Sequence, residues 1–194
     1  MAEQIRLPEG RTQRDLEIAL KNKRTAVTVF QFSWIMVFVC LAAVNMLIRS
    51  RFETWPPDGV AQLDRILPTL ATIGLIVSAW TAARSVRAIR SDERPAFFTY
   101  WQVTLLLGFL FLVVMIIQWV TADIDNQYGA IFRVMVGYHA LHAIVIGIIM
   151  WRVLRTAHAG GYTPQDHFGV EGSARLWYFV VAAWVLFYIV LYVI

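Results

Sequence analysis

Five long apolar runs dominate this chain, at roughly 26–48, 67–83, 97–120, 130–153 and 176–194. Each is close to the 17–25 residues, about 30 Å of helix, needed to cross the hydrocarbon core of a bilayer. A backbone in lipid must satisfy its own N–H and C=O groups, so such runs fold either as helices or as a closed barrel. Period-two alternation is absent from these runs, and barrel strands are therefore not expected. The pattern predicts an all-α integral membrane bundle of five transmembrane helices. A polar tail over 1–25 would precede a single membrane domain over 26–194. The weakest run, the second, holds Thr69, Thr72, Ser78 and Thr81, whose hydroxyls can bond back to helix carbonyls and so tolerate lipid.

Composition and charge placement support this class. Of the residues, 59% are hydrophobic and only 15% are charged, where a soluble domain carries about a quarter charged residues. The net charge of +4 could suggest nucleic acid, but the basic residues cluster at the ends of apolar runs and form no soluble basic face. Cys40 is the single cysteine, so the chain has no internal disulfide. The first 25 residues carry no apolar core and do not read as a cleavable signal peptide.

Arginine and lysine also set an expected orientation. The tail before the first run, the loop with Arg84, Arg87, Arg90 and Arg94, and the loop bounded by Arg152, Arg155 and Arg175 are rich in cations; the first loop holds Arg49, Arg51 and Arg65, and the loop 121–129 has none. The positive-inside rule then puts the N-terminus inside and the C-terminus outside. Leu16, Ile18 and Leu20 beside basic residues fit a short interfacial helix; a frayed polar tail is the competing reading. The arginine series reads as a solvated inner loop or as a site for anionic lipid headgroups.

Polar groups inside membrane spans are functional suspects because burying them costs free energy. The first run offers Gln31, Ser33 and Asn45, the third Gln102 and Gln118, and the fourth Arg133, His139 and His142. No run has a mid-depth Asp or Glu, which disfavours an ion-coupled transporter. At 100° per residue, Gly137, Ala140, Ile144, Gly147 and Arg133 share one side of the fourth helix, a stripe on which another helix could approach closely. His139 and His142 fall on the opposite side, about 60° apart. A bis-histidine haem needs a facing ligand at matching depth, and the other histidines, His158 and His167, lie in the fourth loop. Hydrogen-bonded structural histidines are therefore favoured over metal ligands.

Three segments carry a resemblance to a known family. They are "WPPDG" (55–59), "YGAIFRVMVGYHALHAIVIG" (128–147) and "HFGVEGSARLWYFVVAAW" (167–184). In order and spacing they resemble subunit III of haem-copper respiratory oxidases, in its short five-helix bacterial form. His139, His142, His167, Glu171, Trp177 and Trp184 match its pattern. The chain departs from it at Ser33-Trp34, where the family has Ser-Glu, at Met115, Gln118 and Trp119, and at Tyr178 and Val181. Up to three membrane carboxylates of the pattern are thus neutral here, as in a divergent member.

The resemblance implies a noncatalytic subunit without haem, copper or other metal of its own, the haem and copper belonging to partner subunits. It implies packing against catalytic subunit I, contact with subunit II, bound structural phospholipid, and support of stability and proton uptake in a bacterial inner membrane. Trp55 and Pro56 would form a stiff outer turn with an interfacial anchor, or a docking contact. His167 and Glu171 would tie the start of the fifth span to the inner end of the fourth; a helix cap or local ion pair is the simpler account. A subunit III homologue attached to a nitric oxide reductase or another respiratory assembly, and a b-type cytochrome anchor using His139 or His142, are the alternatives.

Overall fold

The computed structural model describes residues 13–60, 63–122 and 125–194, and every regular element among them is helical. Five helices are long and apolar enough to cross a membrane. They are α1 (Gln13–Arg49), α2 (Ile66–Arg90), α3 (Arg94–Thr121), α4 (Gln127–His158) and α5 (Phe168–Tyr188), the last continued by a π-helical turn over Ile189–Val193. Each helix starts before its apolar run, and α1 to α4 also extend past its end. The 37 residues of α1 amount to about 55 Å, well beyond the hydrocarbon core. Residues 13–25 are therefore the first turns of the spanning helix, and the described part of the predicted interfacial helix is continuous with it.

Local chemistry explains the helix boundaries. The Asn126 side chain accepts a hydrogen bond from the Gly129 N–H at 2.8 Å and caps α4. Pro95 occupies the first turn of α3, where its missing N–H would have had no helical partner. Gly160, at φ +77°, ends α4 in the left-handed conformation that glycine adopts without strain.

Helices α2, α3, α4 and α5 pack in a closed ring in which α2 touches α3 and α5, and α4 touches the same two. Helix α1 lies outside the ring, against α5 and along a narrow seam with α4. It leaves Phe32, Met36 and Leu47 exposed. The core inside the ring is aromatic: Phe97, Trp101, Phe111, Phe132, Trp184 and Phe187 are fully buried. Ion pairs join the N-terminal half of α1, the end of α2 and the start of α5. The N-terminal segment and the loops 91–93 and 159–167 therefore share one basic end of the bundle.

Candidate functional site

The histidine face of α4 points into the bundle. His139 is fully buried, and rings of Trp184, Phe111 and Phe38 stand 5.1, 5.7 and 6.1 Å from its own. Neither of its ring nitrogens has a hydrogen-bond partner. The Nδ1 of His142 lies 2.7 Å from the Tyr138 carbonyl of its own helix, and the Trp34 ring meets His142 edge-on at 4.4 Å. The hydrogen bond expected at both histidines is thus made by His142 alone. Among the described residues, no group of three or more His, Cys, Asp or Glu side chains could hold a metal ion.

The small-residue stripe of α4 faces α3 at Gly137. Gly137 and Ala140 are half-buried. A Cβ on Gly137 would come within 3.0 Å of the Trp119 Nε1, so this glycine makes room for an indole from the neighbouring helix α3. Trp119 donates to the Arg133 carbonyl at 2.9 Å. The Arg133 guanidinium lies over the same ring and donates to the carbonyls of Val120 and Ala122. It satisfies orphan acceptors at the C-terminus of α3, where a cation is favoured. A Cβ on Gly147 would meet nothing within 4 Å; that position borders an apolar groove of about 890 Å³ between α3 and α4.

Two tryptophans fasten α5 to α2. Trp177 donates to the Ser78 hydroxyl at 2.9 Å and Trp184 to the Thr72 hydroxyl at 2.8 Å. Each hydroxyl in turn donates to a carbonyl of its own helix, of Leu75 and Pro68. The hydroxyls of the second run thus bond back to their helix as expected, and also accept from a neighbour. The Thr81 and Thr104 hydroxyls meet at 2.8 Å, and Ser85 donates to the Phe97 carbonyl, so the α2–α3 seam is hydroxyl-linked as well. The sequence does signal this face: Thr72, Ser78, Thr81 and Ser85 recur at near-helical spacing and all are buried.

At the basic end, Glu171 accepts from Arg90 of α2 and lies 3.0 Å from the His167 Nε2 and 3.7 Å from Arg24 of α1. The expected tie to α4 is replaced by one to α2 and α1, because the ring places α5 beside α2 and α1 covers the α5 start. Arg84 lies over the Trp80 ring at 5.0 Å, and Arg87 is exposed. In the loop before α5, burial pushes the Tyr162 phenol above its usual range. At the opposite end Trp55, cis to Pro56, packs against Tyr128 at 5.2 Å and so folds the outer turn onto the start of α4.

The positions that depart from the family pattern are packed by neutral groups. Trp34 fills the space beside His142, and Met115 and Val181 are buried among apolar side chains. Gln118 accepts from the Tyr192 hydroxyl at 2.5 Å and donates toward the Asp64 carbonyl at 3.4 Å. Tyr192, on the π-helical turn, carries no signal of this role in the sequence, because one tyrosine in an apolar tail does not reveal a partner 74 residues away.

A family model described as cytochrome c oxidase subunit III matches residues 12–194. Cytochrome c oxidase subunit 3 of Thermostichus vulcanus is 30% identical over 169 residues, covering 85% of this chain and 84% of the relative. That of Synechocystis sp. is 27% identical over 173 residues, covering 86% and 73%. That of Carassius auratus is 32% identical over 142 residues, covering 71% of this chain and 54% of the relative.

Proposed function

The chain belongs to the cytochrome c oxidase subunit III family, and from that premise we propose that it is an accessory, noncatalytic subunit of a bacterial respiratory oxidase. It packs laterally against catalytic subunit I, contacts subunit II, and holds structural phospholipid in the cytoplasmic membrane with its basic end inside. Haem and copper reside in the partner subunits. The observation that carries the reading is the family match across all five helices. The exposed apolar faces of α1 and α3 supply lateral surface for a partner subunit and lipid. This chain supports proton uptake by stabilising subunit I; neutral Trp34, Gln118 and Val181 at the family's carboxylate positions offer no proton carrier of its own.

The test is affinity purification of the tagged chain from its native membrane in mild detergent. We expect haem- and copper-containing oxidase subunits to co-purify, and the separated chain to give no b-type haem signal in a reduced-minus-oxidised spectrum. A b-haem signal from the chain alone, or purification without haem-copper subunits, would reject the proposal.

A further inference from the structure

One strip of α5 is left uncovered. Between Phe168 and Ile189 only Arg175, Ala182 and Ile189 are exposed, and they recur every seven residues. Tyr178 and Val185, half-buried, fill the positions between them. Alternating steps of three and four residues mark the seam on which one helix packs lengthwise against another. The strip runs about 21 Å along the helix axis. Ala182, at its centre, is small enough to let a second backbone approach closely.

Neighbouring helices wall the strip in. Thr28, Phe32 and Ile35 of α1 border Arg175 and Tyr178 across a groove of about 370 Å³. Trp34 turns another flank of α1 toward His142 of α4, so the groove opens away from α4. On the α2 side, Arg87 and Arg90 are close enough to act electrostatically on the Tyr178 hydroxyl. A helix laid on the strip would therefore meet α1, α5 and α2 together.

Charge narrows the choice of occupant. Arg175 immediately precedes the fifth apolar run, and Gln31 donates to its carbonyl at 3.1 Å. Neither Arg175 nor Arg87 has a carboxylate partner among the described residues. The acid nearby, Glu171, is already taken by Arg90, Arg24 and His167. A neutral helix would cover these cations and leave them unpaired, at a cost in free energy. A helix with an Asp or Glu at that level would supply the missing charge.

We propose that the α5 strip between α1 and α2 docks a transmembrane helix of a partner subunit, one that carries a carboxylate near its end on the basic side and pairs it with Arg175. The docking site rests on the reading of the chain as an accessory subunit. It gives that association a face, a seam and a charge.

The test places a photo-crosslinking amino acid at Ile35, on the wall of the groove, in the tagged chain within its native membrane. Irradiation should join the chain to a transmembrane segment of another subunit of the purified complex. Peptide mapping should find an Asp or Glu within about two turns of the joined residue, toward the basic end. Arg175→Gln should lower the crosslink yield about tenfold, and Arg175→Lys should restore most of it. Ala182→Trp, which fills the centre of the seam, should lower the yield as far. The proposal is overturned if the label goes to lipid alone, if the mapped segment has no carboxylate at that level, or if the Gln and Lys variants behave alike. Co-purifying haem subunits are measured on the same samples, so failure of the accessory-subunit reading is seen separately from failure of this docking site.

Discussion

His139 is enclosed by aromatic rings and makes no hydrogen bond. A buried polar group without a partner costs about 1–3 kcal/mol. His139→Phe should therefore leave stability unchanged or raise it by up to about that amount, as measured by denaturation of the protein in detergent. A loss of stability would mean that the ring holds a partner, such as an internal water. Trp184 is the opposite case. Its N–H reaches the Thr72 hydroxyl, and interhelical hydrogen bonds in membranes average about 0.6 kcal/mol and reach about 1.7. Trp184→Phe should cost an amount in that range, and a double-mutant cycle with Thr72→Val should assign it to this pair. A coupling of zero would refute the clasp. The positions of both residues are legible in the sequence, on apolar runs at identifiable depths. Their partners are not, because which hydroxyl of α2 stands level with which indole of α5 depends on how the two helices are offset.

At the scale of the helix, α4 illustrates the same division. Projection correctly puts His139 and His142 opposite Gly137 and Gly147, since a helix fixes these angles. It does not say which side turns inward, because both sides are polar or small enough to be packed. The ring of α2–α5 decides this by surrounding the histidine face with Phe111, Trp184 and Phe187, and α1 adds Phe38 from outside the ring. Glycines on neighbouring helices then differ in consequence. Gly108→Ala would push a methyl against Trp177, and overpacking of this kind typically costs about 1–3 kcal/mol. Gly147→Ala would meet nothing and should be neutral. Thermal unfolding of the two variants in one detergent checks the contrast, and equal effects would contradict the packing described here.

At the scale of the whole molecule, the ion pairs of Glu171 with Arg90 and Arg24 gather the end of α2, the start of α5 and the N-terminal half of α1 on one side, and the arginine-rich loops make that side the basic one. The positive-inside rule predicts that this side faces the cytoplasm. With Cys40 replaced, a cysteine at exposed Gln165 should react with an impermeant maleimide only in inverted vesicles. One at exposed Glu53 should react only in right-side-out vesicles. The reverse pattern would invert the topology. The number of spans, their helical character and the family were legible from the sequence, because hydropathy over a membrane-length window and short motifs are local properties. The tertiary structure decided that α1 stands outside a ring of four, that Glu171 binds α2 and α1 and not α4, and that a groove opens between α3 and α4. These depend on which helix is neighbour to which. In a bilayer, where lipid solvates any apolar face as well as another helix does, that choice rests on small-residue contacts and a few polar bonds between residues far apart in the chain.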